Sequence, residues 1–114
     1  MQIGPEETLA IKSRGGNEEI WRDPETWGYH FLTKEDSPLM NIKVREALNI
    51  AVDRDSIIKS LLYDSTIPAN QPAPPPVYGY NENLPPIDYD PERAKKLLID
   101  AGYPNGFSFI LETS

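Results

Sequence analysis

The sequence has no cysteine, a single histidine and no long apolar run, and each shortage excludes a class of function. Without cysteine there is no disulfide, thiol nucleophile or thiolate metal site, and the redox compartment stays undetermined. No stretch reaches the roughly 20 apolar residues that a membrane-spanning helix needs. The first residues also lack the basic region and apolar run of a signal peptide, so Met1 need not be the natural start.

Basic residues are scarce as well. Eleven Lys and Arg stand against eighteen Asp and Glu, which gives a formal net charge of -7. This balance opposes attachment to phosphate backbones, so nucleic acid is not predicted as a partner. The acids lack the spacing of a calcium loop, and His30 has no second residue with which to build a zinc site or a catalytic relay. We therefore predict no metal, no cofactor and no enzyme activity.

The 114 residues, 39% of them hydrophobic, are enough for one small domain, so we predict a single subdomain over 1–114. Residues 1–27 are left without a firm assignment, apart from a short strand at 8–12. Residues 28–33 are rich in aromatic and β-forming types and predict a strand. Its alternation places Tyr29, Phe31 and Thr33 on one face and His30 and Leu32 on the other.

Two helical regions follow. Asn41 caps a pattern of apolar residues at helical spacing that predicts helix over 42–63, with either a bend near Asp53 or two helices in series. Asp90, Pro91 and Gly102 are the start and stop signals of a second helical region at 91–101. Alternating apolar residues then predict a strand over 107–112.

A proline-rich loop is predicted between the helical regions, over 64–89. Seven of the twelve prolines lie from Pro68 to Pro86, and proline cannot continue a helix or a central strand. The aromatic residues between them argue against a disordered linker. The spacing of Pro72 and Pro75 leaves one alternative open, an autonomous interaction domain that presents a polyproline segment to a partner.

Three ordered blocks carry a family resemblance: PLMNIKVREALNIAVDRDSII, IPANQPAPPP and YDPERAKKLLIDAGYPNGF. Together they resemble the extracytoplasmic solute-binding proteins of the peptide and nickel type, family 5, that serve ABC importers. Members of that family are several times longer, so the resemblance implies a fragment. The implied fold is mixed α/β, part of one lobe of a class II periplasmic-binding-protein-like fold, with helices packed on a small sheet and a long proline-rich crossing loop.

The resemblance also implies a function. The intact protein would bind an oligopeptide, dipeptide, nickel chelate or oligosaccharide, close two lobes around it and be recognised by the ABC permease. It would be periplasmic or extracellular, as a lipoprotein or in soluble form, and the fragment alone is expected to self-associate through the interface that it leaves open.

Candidate ligand-binding residues come from the same resemblance. Trp27, Tyr29, Phe31 and Thr33 lie where the family's chain passes near the ligand cleft. Arg45 matches a basic position of the family, where a guanidinium could pair with the free carboxylate of a bound peptide. Two structural alternatives remain open. The aromatic rings can belong to the core, because they bury large apolar areas. Arg45 can pair with Asp53 or Asp55 instead of a ligand carboxylate.

Overall fold

The computed structural model describes residues 4–17, 19 and 24–112. Within these residues the chain forms four α-helices and one short 3-10 helix. In chain order they are α1 (Pro5–Ser13), the 3-10 helix (Pro38–Met40), α2 (Ile42–Ile50), α3 (Arg54–Leu61) and α4 (Pro91–Asp100). The chain divides into two compact units. The first unit comprises Met1–Trp27 and Arg54–Pro86, and the second unit comprises Gly28–Asp53 and Ile87–Ser114.

The predicted α/β fold, with helices packed on a small sheet, is wrong, because no described residue forms a β-strand. The segments 28–33 and 107–112 lack helical structure, as expected, but no backbone hydrogen bond joins either one to a second segment in the described part of the chain. A strand is defined by pairing with a neighbour. Alternation of residue types predicts an extended backbone, but it does not supply the partner.

The predicted strand at 8–12 is also wrong, since these residues belong to α1. Local bonds explain the helix. The Gly4 amide donates to Glu7 Oε2 at 2.6 Å, and the Thr8 hydroxyl donates to the Gly4 carbonyl. Glu6 and Glu7 lie in the first turn, where negative charge is favourable against the positive end of the helix dipole.

The helical region predicted over 42–63 consists of two helices in series, α2 and α3, separated by residues 51–53. The 3-10 helix leads into α2, and both have side-chain caps. Ser37 Oγ accepts from the Leu39 amide at 3.2 Å, and Asn41 Oδ1 accepts from the Lys43 amide at 2.9 Å. These short polar side chains satisfy amides that have no partner inside their own helix.

Helix α4 matches the predicted start and ends one residue earlier than predicted. Asp90 Oδ1 accepts from the Arg93 amide at 2.9 Å at its beginning. At its end Gly102 has φ +92°, its amide donates to Ile99 O at 3.0 Å, and the Tyr103 amide donates to Leu98 O at 2.8 Å. This pair of bonds is a Schellman motif, which needs a residue tolerant of positive φ.

The second unit is held together by α2 and α4, which run antiparallel. Lys43, at the start of α2, lies 3.9 Å from Asp100 at the end of α4, whereas Ile50 O, at the end of α2, accepts from the Asp90 amide at 2.9 Å. The core between the helices combines small and branched apolar side chains: Ala47, Ile50 and Ala94, with Ile87, Leu97 and Leu98 packed against them.

Apolar contact, more than charge, stabilises this helix pair. Arg93 is hydrogen-bonded to Glu46 across the two helices, but the two side chains remain 55% and 40% exposed. Exposed ion pairs contribute roughly 0.2–1 kcal/mol. Burial of one branched aliphatic side chain contributes about 1.5–3 kcal/mol, so Ile50 alone outweighs the ion pair.

Candidate functional site

The aromatic segment, defined here as residues 28–33, lies in the second unit with its side chains at the surface. Tyr29 is 68% exposed and Phe31 37% exposed, and Thr33 is also exposed. Trp27, which belongs to the first unit, is 90% exposed. None of these four side chains is part of the core of the described residues.

A turn connects the aromatic segment to the 3-10 helix. The Ser37 amide donates to Lys34 O at 3.1 Å, and Asp36 adopts a positive φ of 66°. Aspartate tolerates this conformation better than most residues. Because Ser37 then caps the 3-10 helix, the path from the aromatic segment into α2 is set by local hydrogen bonds.

Arg45 binds backbone carbonyl groups. Its Nη1 donates to Leu39 O at 2.8 Å and to Met40 O at 2.9 Å, and the side chain is half-buried. Both carbonyls lie in the 3-10 helix, where the last carbonyl groups have no partner within their own helix. A guanidinium is suited to this because its donors lie in a fixed fork and remain charged. Arg45 therefore attaches the segment before α2 to α2 itself.

The proline-rich loop of the first unit contains an arrangement that the sequence analysis did not identify, which we call the amide clamp (Asn70 and Gln71). Asn70 Nδ2 donates to Leu84 O at 3.0 Å and to Pro85 O at 3.1 Å. Gln71 Nε2 donates to Asn81 O at 2.9 Å, and Gln71 Oε1 accepts from the Asn81 amide at 3.0 Å. The two side chains thereby join the start of the loop to its end.

Proline explains why side chains make these bonds. The residues that follow Leu84 and Pro85 are both prolines, which have no amide hydrogen, so this part of the loop cannot form a regular ladder. Primary amides carry both donors and an acceptor and can replace the missing backbone partners. The signal in the sequence was an Asn-Gln pair among prolines, but the carbonyl partners lie 10–15 residues away.

Within the clamp the chain turns repeatedly. The Val77 amide donates to Pro74 O at 2.9 Å, and the Tyr80 amide donates to Val77 O at 3.1 Å. A polyproline ligand is an extended helix without internal hydrogen bonds. The first of these turns contains Pro75 and so interrupts such a helix between Pro72 and Pro75, and the structure does not favour the interaction-domain alternative. Tyr78 is fully exposed at the tip.

No group of three or more His, Cys, Asp or Glu residues is arranged to hold a metal ion in the described part of the chain. None of its helices is both long and apolar enough to cross a membrane. Among the described residues, the charge of Glu6 raises the pKa of Tyr63, whose hydroxyl donates to Glu6 Oε1 at 3.3 Å.

A shallow groove lies at the end of α4, with a volume of about 250 Å³. Its lining is mostly apolar and comprises Lys95, Leu98, Ile99, Tyr103, Pro104 and Gly106. The ring of Tyr103 lies 5.2 Å from that of Phe107, which lies 5.8 Å from Phe109. The three rings fix the path of the chain as it leaves the helix.

Known proteins match this chain over most of its length. Heme-binding protein A of Haemophilus influenzae is 46% identical over 79 residues, covering 69% of this chain and 14% of the relative. The dipeptide-binding protein of Escherichia coli K12 is 42% identical over 84 residues, covering 74% of this chain and 16% of the relative. The glutathione-binding protein GsiB of Escherichia coli O1:K1 is 37% identical over 111 residues, covering 96% of this chain and 22% of the relative.

The chain thus spans between 14% and 22% of the length of these relatives. A family model described as bacterial extracellular solute-binding proteins, family 5 Middle, matches residues 1–114 and so includes the proline-rich loop. The family is one of binding proteins, and the autonomous interaction domain is not supported. The chain belongs to the bacterial extracellular solute-binding proteins of family 5.

Proposed function

We propose that the complete polypeptide carrying this chain binds a short peptide or a related small solute outside the cytoplasmic membrane and delivers it to the permease of an ABC importer. The observation that carries this proposal is the family match over residues 1–114. The polypeptide acts either as a lipoprotein or in soluble form.

Short peptides are the ligand class that the relatives favour. Two of the three relatives described above are named for a dipeptide and for glutathione, which is itself a short peptide, and the third is named for heme. The relatives of similar identity differ in ligand, so the fold alone does not determine specificity. We therefore expect a peptide, with heme as the competing ligand in the experiment.

We propose that this chain contributes the aromatic segment to the ligand site. Tyr29 and Phe31 expose rings that can pack against a ligand side chain or backbone, and aromatic side chains are enriched at binding surfaces because they bury large areas. Thr33 adds an exposed hydroxyl. Trp27 is proposed as a contributor on the basis of its position in the sequence.

Arg45 is assigned a positioning role. Its two bonds to Leu39 O and Met40 O hold the 3-10 helix, which follows the aromatic segment in the chain. In the complete polypeptide, ligand binding would shift the population from an open to a closed form that the permease recognises. Separated from the rest of the polypeptide, the 114-residue chain exposes large apolar side chains such as Leu61 and Ile110, so we expect it to self-associate.

Calorimetric titration of the complete polypeptide tests this proposal, with a dipeptide panel, glutathione and heme as ligands. We expect saturable binding of a peptide, weakened roughly tenfold or more by Tyr29→Ala or Phe31→Ala, because loss of a buried aromatic contact costs more than 1 kcal/mol. The matched control is Tyr78→Ala, a fully exposed tyrosine in the proline-rich loop, which should leave the affinity unchanged. Absence of binding to every ligand in the panel would contradict the peptide proposal. Binding of heme without binding of any peptide would also contradict it and would identify heme as the ligand.

A further inference from the structure

One turn in the second unit combines the features of a chemically reactive site. Asn105 and Gly106 are the only asparagine-glycine pair in the sequence. They close the turn that follows α4, in which the Gly106 amide donates to Tyr103 O at 3.1 Å. Both residues are exposed, and no described residue hydrogen-bonds the side chain of Asn105. The carboxamide can therefore rotate toward the backbone that follows it.

We propose that Asn105 is a site of spontaneous deamidation through a cyclic imide. The backbone nitrogen of Gly106 loses its proton to solvent and forms a bond to Cγ of Asn105, the Cγ–Nδ2 bond breaks, and Nδ2 leaves as ammonia. Water then opens the imide at either carbonyl, which gives aspartate or an isoaspartate whose chain runs through Cβ. One water is consumed and one ammonia is released, so no oxidant or reductant is needed.

The local geometry favours this reaction at Asn105. Gly106 has no side chain to obstruct ring closure, its φ is +79°, and no atom lies within 4 Å of the position that a Cβ would occupy. One hydrogen bond engages the attacking nitrogen, in an exposed turn of the kind that opens readily. Asn83, also exposed, is followed by Leu84, whose branched side chain crowds the same approach.

The product would alter the end of α4. Either form adds a negative charge, and isoaspartate also lengthens the backbone within the turn. The turn separates Tyr103 from Phe107, whose ring centroids are 5.2 Å apart. A longer connection disrupts both this ring contact and the bond from Gly106 to Tyr103 O, so deamidation should loosen the packing of Phe107 on Tyr103.

Prolonged incubation of the folded chain in mildly alkaline buffer, followed by peptide mapping and enzymatic isoaspartate methylation, tests the proposal. We expect a mass gain of about 1 Da in the Asn105 peptide, with both products present, while the Asn83 peptide in the same sample stays unchanged. Asn105→Gln should abolish the gain, and Gly106→Ala should slow it roughly tenfold by restricting the backbone. If circular dichroism shows that Gly106→Ala is unfolded, that variant is set aside. The test then compares the Asn105 peptide with the same peptide in Asn105→Gln and with the Asn83 peptide of the same sample.

Two results would overturn the proposal. One is an equal mass gain at Asn83 and Asn105, which would mean that the turn confers no selectivity. The other is reaction at Asn105 in the urea-unfolded chain but not in the folded chain, because the hydrogen bond to Tyr103 O would then protect the folded turn.

Discussion

The backbone amide of Asp90 donates to the carbonyl oxygen of Ile50 at 2.9 Å, so the residue that caps the start of α4 also satisfies the end of α2. The side chain of Asp90 acts separately, because its Oδ1 accepts from the Arg93 amide at 2.9 Å. One residue thus joins local helix capping to the packing of the helix pair that forms the core of the second unit.

Replacing Asp90 by alanine should lower the free energy of unfolding by about 1 kcal/mol, because the Arg93 amide loses its acceptor. Asparagine at the same position should restore most of the stability, since it caps nearly as well as aspartate. Urea unfolding followed by circular dichroism measures the difference. Asp88→Ala removes a neighbouring exposed carboxylate without removing the cap and is the control. Equal losses in Asp88→Ala and Asp90→Ala would contradict a capping role.

Arg45→Ala should destabilise the second unit by roughly 1.5–3 kcal/mol, because the part-buried Leu39 carbonyl and the exposed Met40 carbonyl lose a charged donor. Arg45→Lys should have an intermediate effect, since an ammonium lacks the planar fork of the guanidinium. Lys43→Ala, which removes a single exposed ion pair at 3.9 Å, is the control and should cost well under about 1 kcal/mol. Thermal unfolding measures the loss of stability in each of the three variants. A harmless Arg45→Ala would show that the two carbonyl bonds contribute no stability.

Asn70→Ala should open the proline-rich loop, since the Leu84 and Pro85 carbonyl groups lose their donor. We expect faster limited proteolysis by chymotrypsin at Tyr78 and Tyr80, with a loss of stability of about 1 kcal/mol. Asn83→Ala is matched in residue type and loop position but removes no clamp bond. If both variants are cleaved at the wild-type rate, the amide clamp does not restrain the loop.

The ionisation of Tyr63 should occur at higher pH than that of an ordinary tyrosine. The negative charge of Glu6 is the main cause of the raised pKa, because it disfavours the phenolate. The neutral phenol is favoured in the folded chain, so its stabilising contribution is present below about pH 10 and is lost as the pH rises through the raised pKa. Ultraviolet absorbance is followed as the pH is raised in the wild-type chain and in Tyr63→Phe, and the difference between the two titrations gives the ionisation of Tyr63.

Glu6→Gln provides the test of that cause. It removes the charge and keeps a hydrogen-bond acceptor, so the pKa of Tyr63 should fall toward its ordinary value. An unchanged titration of Tyr63 in Glu6→Gln would show that Glu6 is not responsible.

The helix ends could be predicted from the sequence because their signals are local. Asn41 and Asp90 cap amides two or three residues away, and Gly102 supplies the positive φ that ends α4. The same locality explains two of the three errors in strand assignment. Segments 28–33 and 107–112 have the composition of strands, but a strand needs a distant partner, and sequence patterns do not identify one.

The candidate site was less predictable for the same physical reason. The aromatic segment has residue types that suit either a core or a binding surface, and its exposure depends on which parts of the chain pack against it. The carbonyl partners of Arg45 lie five and six residues away, and those of Asn70 lie fourteen and fifteen residues away, beyond the reach of helix periodicity.

Hydrogen-deuterium exchange of the complete polypeptide, with and without a bound peptide, tests the central claim most directly. If the aromatic segment contributes to the ligand site, its amides should become protected when peptide is added, whereas those near Tyr78 in the proline-rich loop should exchange at the same rate. Protection confined to other parts of the polypeptide, with residues 28–33 unchanged at saturating peptide, would contradict the assignment of this segment to the site.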